Sequence, residues 1–387
     1  MISPLLGLAT FGVVASLCYY AAAGAAAARF RARAAAPAPP LPKPPPRIAV
    51  LKPLSGLTPS LAGNLTSYLE SDYPRTDFLF AVSGYEDGAA EAAVTARSRY
   101  PYASVALVVG EEPCISNRKI AKVIRMVERA PRAKAFILSD ADISVERGHL
   151  SRLIAELFAD ERVGMVTCIY RARPAGSLTA RLAALFVNTD FAPMVLVSEM
   201  IEPIHYALGA TIAVRREALE AAGGMRVVGD KLADDFELGR AVVRCGWKIK
   251  LSSSIVTSAS EERDFSEFWR RKLRWARTYR IVRPISLLTI FVNGPLWALL
   301  MLAATRASAT GIAIFAGVIV ARLAMAALMI SGVLKIPELL RDLWLVPVKD
   351  LFMAAIWAAS LVGSRVVWGG RRFSVARNGV MREVVGD

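Results

Sequence analysis

An uncharged stretch at residues 2–28, ISPLLGLATFGVVASLCYYAAAGAAAA, constrains the fold of this chain more than any other feature. A membrane-spanning helix needs about 20 apolar residues, so this stretch is long enough to cross a bilayer core. Its small residues also fit a signal-peptide cleavage site, but no basic segment precedes it, and Arg29, Arg31 and Arg33 follow it. Because positive residues stay on the cytoplasmic side, the sequence favours an uncleaved anchor over residues 1–33 with its N-terminus outside.

Apolar segments return towards the C-terminus, at residues 285–305, 309–330 and 343–363. The third contains Lys349 and Asp350, which favour a re-entrant or interfacial segment over a clean span. If the anchor and all three segments crossed, the basic tail would lie outside, against the rule that positive residues stay inside. We therefore expect one of the four not to span. Residues 284–365 are interpreted as the C-terminal membrane region, and 366–387 as a basic cytoplasmic tail.

The middle of the chain has a different pattern. A proline-rich linker at residues 34–46 precedes a region of ordinary charge density at 47–283. Helical patterns at 59–74 and 117–130 alternate there with short apolar runs, and we predict strands within 47–56, 78–84, 104–110, 135–142, 164–170 and the first part of 211–224. This alternation predicts an α/β domain with a mostly parallel sheet and helices on both faces. Ligands of such sheets bind outside the carboxyl ends of the strands.

The formal net charge of +15 raises the question of a nucleic-acid partner. The basic residues flank the apolar segments, where anionic lipid attracts them, and no basic run interleaved with aromatic residues marks a nucleic-acid face. We therefore expect a membrane and no nucleic acid. Four scattered cysteines without a CxxC, together with only two histidines, argue against a zinc site and favour free thiols in a reducing cytoplasm. His149 is expected to be a surface residue near a helix start.

Two acidic motifs stand out in this basic chain. ILSDADISV places Asp140 and Asp142 at the end of a predicted strand, where two carboxylates suit Mg²⁺ or Mn²⁺ bridging phosphate oxygens. The alternative is an ordinary turn in which Asp142 caps the next helix. KLADDFELG places Asp234 and Asp235 side by side between apolar residues. Buried like charges are costly unless a metal, a cation or a chemical task compensates for them, which marks a candidate site.

A basic motif completes the set. SEFWRRKLRW contains Arg271 and Arg274 three residues apart on a predicted helix, with Trp275 beside them. Paired guanidinium groups can clamp a diphosphate. The alternative is a basic helix whose arginines extend towards lipid headgroups. The apolar stretch 191–210 between the motifs fits either an interfacial element that guides a lipid or a core helix.

This ordered set resembles the GT-A glycosyltransferases of the family 2/21 type. The segments LKPLSG, NRKIAKVIRM, SDADI, TIAVRREALEAAGG, ADDFELGRAV and RKLRWARTYR are most similar to ceramide glucosyltransferases and bacterial hopanoid-associated glycosyltransferases. The resemblance covers about residues 47–283 and implies a Rossmann-like GT-A catalytic domain. It also implies that this domain faces the cytoplasm, between N- and C-terminal transmembrane helices in a bacterial inner membrane.

The resemblance assigns roles to particular residues. Asp87 corresponds to an aspartate that contacts the nucleotide base, with Glu86 as an alternative because Gly84-Tyr85-Glu86 departs from the family pattern. Asp235 corresponds to the catalytic base, and Asp234 to a helix cap or an acceptor contact. The remaining positions carried over are Asn117 and Lys119 beside the nucleotide, Asp142 and Asp140 on the metal, and Arg271, Arg274 and Trp275 on the leaving diphosphate.

The function implied is an inverting, Mg²⁺- or Mn²⁺-dependent transfer of a sugar from a UDP-sugar donor to a lipid hydroxyl. Asp235 would take the proton of the acceptor while the metal and the arginines stabilise UDP. UDP-glucose and ceramide are the preferred pair, and UDP-N-acetylglucosamine with a hopanoid polyol is the alternative. A polysaccharide synthase is disfavoured because it needs more C-terminal spans, and an inactive membrane scaffold is disfavoured because both acidic motifs are present.

Overall fold

A computed structural model describes residues 4–376 and 378–384. The predicted anchor and tail also include residues 1–3, 377 and 385–387, which lie outside the described residues. Within the described part, the chain forms two compact units that do not follow single stretches of sequence. We call residues 36–170, 202–259 and 379–384 the sheet unit, and residues 4–35, 171–201, 260–376 and 378 the helical unit. The domain boundaries at 33, 46, 283 and 365 stay predictions.

The helices and strands of the described residues are numbered in chain order. The α-helices α1–α13 are Pro4–Ala35, Leu61–Leu69, Gly88–Arg99, Arg118–Arg129, His149–Phe158, Leu178–Phe186, Ala192–Ile201, Arg216–Ala221, Asp234–Arg244, Phe265–Val282, Gly294–Ala304, Ala309–Ala327 and Leu345–Ser360. The strands β1–β13 are Ile48–Pro53, Thr76–Val82, Ser104–Val109, Ala135–Ser139, Ile143–Ser144, Val163–Thr167, Tyr170–Pro174, Thr211–Arg215, Lys248–Leu251, Val256–Ser260, Arg365–Trp368, Arg371–Val375 and Met381–Glu383. Turns of 3₁₀-helix form Met225–Val228, Pro284–Val292 and Pro337–Asp342, and π-helical turns form Val187–Phe191 and Leu328–Val333.

The sheet unit is built on a seven-stranded sheet in the order β3-β2-β1-β4-β8-β6-β9. The first four strands are parallel, β8 is antiparallel to both of its neighbours, and β9 is parallel to β6. The prediction of a mostly parallel α/β sheet is therefore confirmed. Because β8 runs against β4, the register pairs Ser139 at the end of β4 with Thr211 at the start of β8. This pairing brings the loop before β8 to the DxD sequence.

Alternating apolar side chains give the sheet two packed faces. Ile48 and Val50 of β1 belong to a core that includes Leu65 and Tyr68 of α2, and α3 and α5 pack on the same side. Ala49 and Leu51 face the opposite core, together with residues of α4, α8 and α9. Strand side chains alternate between the faces with a period of two, so the unbroken apolar sequence IAVL is what a strand covered on both faces requires.

The expectation that His149 lies on the surface is wrong. His149 begins α5, and only 4% of its surface is exposed. Its Nδ1 lies 2.7 Å from Ser254 Oγ, and burial lowers the pKa of the imidazole to about 3. The residue starts the helix on the side that packs against the sheet, because Leu150, Leu153 and Ile154 continue the same buried surface.

The helical unit contains the apolar segments. Within the described part of the chain, three helical segments are long and apolar enough to cross a membrane: Pro4–Ala35, Leu178–Ile201 and Ala309–Val333. Pro284–Val292 and Gly294–Ala304 form a pair bent by 55°, which makes a fourth if the pair is one span. The segment predicted at 343–363 forms α13, a helix of 16 residues. The 191–210 stretch is helical only as far as Ile201, where the apolar segment Leu178–Ile201 ends.

Close packing fixes the first of these helices. A Cβ on Gly12 of α1 would lie 2.1 Å from the indole of Trp297 in α11, so only glycine allows this approach. Ala9 and Val13 flank Gly12 in the same apolar cluster, which also contains Met301. The tyrosine hydroxyl of Tyr20 accepts a hydrogen bond from the backbone N–H of Gly294 at 3.1 Å.

Charged side chains form a second buried feature of the helical unit. Arg322 of α12 donates to Asp350 Oδ2 at 2.7 Å and to Asp190 Oδ1 at 2.5 Å, and Lys349 forms ion pairs with the same two aspartates. We call these four residues, Asp190, Arg322, Lys349 and Asp350, the balanced cluster. Arg322 also donates to the carbonyl oxygen of Thr189 at 3.1 Å, in the π-helical turn that carries Asp190. The charges that suggested a non-spanning segment at 343–363 are therefore paired inside the unit.

Candidate active site

The DxD sequence follows β4 at the carboxyl end of the parallel part of the sheet. The backbone N–H of Asp140 donates to the carbonyl oxygen of Ala210 at 3.3 Å, so the turn is tied to the loop before β8. The hydroxyl of Ser258 donates to Asp142 Oδ2 at 3.1 Å. The alternative in which Asp142 caps a helix does not apply, because Gly148 caps α5.

The start of α4 carries the two predicted nucleotide neighbours. Asn117 is fully buried and caps the helix, accepting from the backbone N–H of Ile120 at 3.2 Å. Lys119 reaches outward from the first turn, and its Nζ lies 2.8 Å from Asp140 Oδ1 and 3.2 Å from Asp234 Oδ2. Burial disfavours the ammonium group, but the two aspartates outweigh that effect and raise the pKa of Lys119. Lys119 therefore joins the two acidic motifs through one cation.

Asp234 and Asp235 occupy the first turn of α9, where the helix dipole favours negative charge. Asp235 accepts from the backbone N–H of Gly209 at 2.7 Å through Oδ2 and from that of Phe236 at 2.8 Å through Oδ1. Burial and the neighbouring charge of Asp234 raise the pKa of Asp235 to about 6, against the opposing effect of Lys119. We call Asp140, Asp142, Asp234 and Asp235, with Lys119, the acidic cluster.

Asp87 and Glu86 lie beyond β2, on the approach to α3. Asp87 caps α3, accepting from the backbone N–H of Ala89 at 3.0 Å, and it also accepts from the N–H of Gly56 at 2.8 Å. Glu86 is exposed, and its carboxylate folds back over Gly84, where a Cβ would lie 2.1 Å away. Asp87 therefore links the LKPLSG loop to the first turn of α3 through these two hydrogen bonds.

The predicted arginine motif lies in α10 of the helical unit. Arg271 donates to Glu262 Oε1 at 3.1 Å, and its guanidinium lies 5.7 Å from the ring centroid of Trp275. Arg274 follows one turn later and is partly exposed. Lys272 between them is buried against Trp275 and Phe186, and burial lowers the pKa of this lysine to about 7. The motif is thus a packed aromatic and basic cluster in which the arginines and the tryptophan share one stretch of helix.

The acidic cluster offers carboxylate oxygens as ligands for a divalent cation. Across residues 4–376 and 378–384, no three His, Cys, Asp or Glu side chains lie close enough together to hold a metal ion by themselves. Mg²⁺-type sites commonly use one or two carboxylates and complete their shell with substrate phosphates and water. The carboxylates of Asp140 and Asp142 match such a site, provided that a phosphate-bearing substrate supplies further oxygen ligands.

Comparison with protein-family models decides the family. The glycosyl transferase family 21 model matches residues 8–381, which is nearly the whole chain. The chain belongs to glycosyl transferase family 21. It is a glycosyltransferase, and the resemblance stated from the sequence is confirmed.

Two relatives of this family 21 chain are ceramide glucosyltransferases of Caenorhabditis elegans. Ceramide glucosyltransferase 1 is 25% identical over 232 residues, which are 60% of this chain and 49% of that protein. Ceramide glucosyltransferase 3 is 23% identical over 232 residues, which are 60% of this chain and 50% of that protein. The matched region thus spans about half the length of each relative.

A solved structure confirms the GT-A fold of the family 21 chain. The mannosyltransferase PcManGT from Pyrobaculum calidifontis, in complex with GDP-Man and Mn²⁺, has a TM-score of 0.52 and 19% sequence identity. The similarity covers 91% of this chain and 99% of that protein. At this identity the likeness concerns the fold, a parallel-rich sheet flanked by helices, and not the substrate.

Two residues beside the candidate site carried no predicted role. Gly209 binds Asp235 through its N–H, and a Cβ at this position would lie 2.9 Å from Asp235 Oδ2. Lys52 of β1 is fully buried beneath the DxD turn, where burial lowers its pKa to about 7 while Asp142 and Asp140 oppose the shift. The sequence did offer a signal for Lys52: it is a lysine inside an apolar strand, and it lies in the LKPLSG segment on which the family resemblance rests. No signal in the sequence marks Gly209.

Proposed function

We propose that this glycosyltransferase catalyses an inverting transfer of a sugar from a UDP-sugar to a hydroxyl of a membrane lipid, with Asp235 as the base. One observation carries the proposal: a partly buried carboxylate whose pKa is raised to about 6 lies beside the cation that links both acidic motifs. A general base works best when its pKa lies near the working pH. An ordinary surface aspartate, with a pKa near 3.9, would be a far weaker base.

The hydrogen bonds of Asp235 support this role. The N–H groups of Gly209 and Phe236 each bind a different carboxylate oxygen, so the group is held in one orientation. Each carboxylate oxygen has a further lone pair that could take the proton from the hydroxyl of the lipid. Asp234 is engaged by Lys119, which fits a role in shaping the charge around Asp235 rather than in proton transfer.

Donor binding is proposed at Lys119 and the DxD turn. Asp142 and Asp140 would hold Mg²⁺ or Mn²⁺, which supplies charge neutralisation for the leaving diphosphate when bound. The structurally similar mannosyltransferase was solved with GDP-Man and Mn²⁺, which supports a divalent ion in the same fold. Asn117, Asp87 and Glu86 would line the nucleoside side, and Arg271, Arg274 and Trp275 would contribute the arginine motif.

The lipid acceptor is proposed from two observations. Relatives of this chain are ceramide glucosyltransferases, and three helical segments among the residues that the structure describes are long and apolar enough to cross a membrane. We propose UDP-glucose and ceramide as the substrate pair, with the active site on the cytoplasmic face of a bacterial inner membrane. Residues 47–283 would be the catalytic domain, between the anchor at 1–33 with its linker at 34–46 and the membrane region at 284–365.

The test is transfer by the purified chain in lipid nanodiscs. Radiolabelled UDP-glucose with ceramide should give a single glucosylated lipid, identified by mass spectrometry, and EDTA should abolish the reaction. UDP-N-acetylglucosamine with a hopanoid polyol is the parallel assay, and a product there alone would move the assignment to that pair. A long polymer would indicate a polysaccharide synthase, and no turnover of any donor would indicate an inactive scaffold.

The metal assignment has its own variant. Asp142→Ala should abolish transfer and remove the dependence of UDP binding on Mn²⁺, because the diphosphate charge would remain unscreened. Mass spectrometry of lipid extracts from cells with and without the gene identifies the natural product. Full activity of Asp142→Ala, or of the unaltered chain in EDTA, would contradict the metal assignment.

A further inference from the structure

The backbone of the DxD turn is held from behind by buried side chains. Lys52 Nζ donates to the carbonyl oxygen of Asp140 at 2.8 Å and to that of Ile143 at 3.0 Å. Asn64 of α2 donates through Nδ2 to the carbonyl oxygen of Ala141 at 3.0 Å. Three carbonyl groups of one short turn are therefore bound by only two side chains.

The burial of these two side chains is unusual for their types. Lys52 has no exposed surface, and Asn64 has 5%. A lysine is almost never fully buried without partners, because the loss of hydration must be offset by hydrogen bonds or charge. The ring of Tyr68 lies 4.2 Å from Lys52 Nζ, and the Tyr68 hydroxyl donates to Ser139 Oγ at 2.6 Å, one residue before the turn. These contacts fix the position of the ammonium group and, through it, that of the turn.

The two carboxylates of the turn depend on this support. Asp140 and Asp142 are separated by Ala141, so the directions of both side chains follow from the backbone angles between Ser139 and Ile143. The hydrogen bonds from Lys52 and Asn64 reach that backbone and leave the carboxylates for other partners. Groups that orient metal ligands in this way change metal affinity even though they never touch the metal.

We propose that Lys52 and Asn64 are positioning residues that set the divalent-cation affinity of the DxD turn. This inference rests on the proposed function, since it takes Asp140 and Asp142 as the metal ligands. Lys52 acts on both sides of Asp142 by binding the carbonyl groups of Asp140 and Ile143. Asn64 acts on the residue between the two aspartates.

The experiment measures Mn²⁺ binding directly. Electron paramagnetic resonance reports free Mn²⁺ during titration of the full chain with saturating UDP. Lys52→Met keeps a long unbranched side chain but removes the donor, and it should weaken Mn²⁺ binding by about 10- to 100-fold, the usual range for a lost ligand-orienting group. Asn64→Ala should act in the same direction, at about the tenfold end of that range.

A buried lysine elsewhere in the sheet unit provides the matched control. Lys122 is also buried, and its Nζ donates to the carbonyl oxygen of Leu54 at 2.7 Å, away from the DxD turn. Lys122→Met should leave Mn²⁺ affinity unchanged. Transfer assays add a second readout, because Lys52→Met should recover activity as Mn²⁺ is raised. A fold defect instead lowers activity at every Mn²⁺ concentration.

The outcomes separate the two proposals. If the unaltered chain binds Mn²⁺ with UDP and both Lys52→Met and Asn64→Ala bind it equally well, the positioning role is overturned and the proposed function stands. If the unaltered chain binds no Mn²⁺, the metal assignment itself fails, and this inference fails with it. Should Lys52→Met not fold, Asn64→Ala decides: weaker binding supports the inference, and unchanged binding overturns it.

Discussion

The acidic cluster of the sheet unit and the balanced cluster of the helical unit are two solutions for charges away from water. The balanced cluster has two cations and two carboxylates, each in contact with opposite charges. The acidic cluster sets four carboxylates against Lys119, with Lys52 beneath them. The balanced cluster is neutral by itself, whereas the acidic cluster has more carboxylates than cations.

This difference has a physical consequence for each cluster. A neutral, fully paired cluster has no need of a further ion, and the loss of any one member is strongly destabilising. An acidic cluster remains unfavourable until a proton or a cation reaches it, and its pKa values shift accordingly. Asp235 shows that shift with a pKa of about 6. We therefore expect substitutions in the acidic cluster to affect the chemistry, and substitutions in the balanced cluster to affect the stability of the fold.

The largest effect is expected at the proposed base. Asp235→Asn should reduce transfer to the lipid by about two to four orders of magnitude, because the amide cannot accept the proton of the acceptor. UDP-sugar affinity should stay close to normal, since the proposed donor contacts are made by other residues. Single-turnover transfer and equilibrium UDP-sugar binding measure the two quantities separately.

Asp234→Asn is the matched control for that variant, and its loss of transfer should be distinctly smaller. Equal losses in both variants would remove the reason for choosing Asp235. The product should carry a β-linkage from the α-configured donor, as direct displacement requires. An α-linked product or a trapped glycosyl-enzyme would exclude the single-displacement mechanism.

The balanced cluster should respond through stability. Asp350→Asn removes one carboxylate from between Arg322 and Lys349, leaving excess positive charge in a buried place. Breaking a buried pair on one side costs about 3–5 kcal/mol. Thermal unfolding in nanodiscs should show a large loss of stability for Asp350→Asn.

Glu338→Gln is the control, because it breaks an exposed ion pair with Arg173 at 3.4 Å in the same unit. This variant should lose less than about 1 kcal/mol of stability. Equal, small losses in both variants would show that the balanced cluster contributes little to stability.

Arg274 tests whether the arginine motif belongs with chemistry or with lipid contact. Arg274→Lys should be nearly as damaging as Arg274→Ala, because a point charge does not replace a planar fork at a diphosphate. A lost charged hydrogen bond of about 1.5–3 kcal/mol corresponds to roughly a 10- to 100-fold fall in kcat/KM. Steady-state kinetics with both variants measure the effect. Recovery of most activity in Arg274→Lys would instead assign the residue to the lipid headgroups.

The smallest effect concerns pH. Because the base acts when deprotonated and its pKa is raised to about 6, transfer should be constant above that pH and should fall as the pH drops through it. Below it the loss should approach about tenfold for each pH unit. The charge of Asp234 contributes to the raised pKa, so Asp234→Asn should move this limb to lower pH. A kcat/KM profile from acid to neutral pH measures both, and an unmoved limb would separate Asp234 from the titration.

The sequence predicted six of the seven strands of the large sheet, all but Lys248–Leu251, and it singled out the acidic residues of the candidate site, because both depend on local pattern. Apolar runs such as IAVL predict buried strands, and an acidic pair after such a run predicts a site at the end of the sheet. Lys119, Asp140 and Asp234 were singled out separately, and the structure brings them within hydrogen-bonding distance.

What the sequence did not predict depends on contacts between distant segments. Lys349 and Asp350 in the sequence indicated a segment unsuited to a bilayer. Their pairing with Asp190 and Arg322 was not predicted, because those partners lie in other segments of the chain. The burial of His149 depends on Ser254 and the sheet beneath α5. Gly209 is one of 26 glycines, and only the approach of Asp235 distinguishes it from the others.

One dipeptide, Gly209-Ala210, contacts both halves of the proposed reaction. Gly209 binds Asp235 through its N–H, and the carbonyl oxygen of Ala210 accepts from the N–H of Asp140. The spacing between the proposed base and the DxD turn is therefore set by this short backbone segment, whose length no side-chain substitution changes. We therefore expect insertions and deletions within residues 208–211 to be incompatible with transfer, and adaptation to a bulkier or smaller acceptor to occur in other loops.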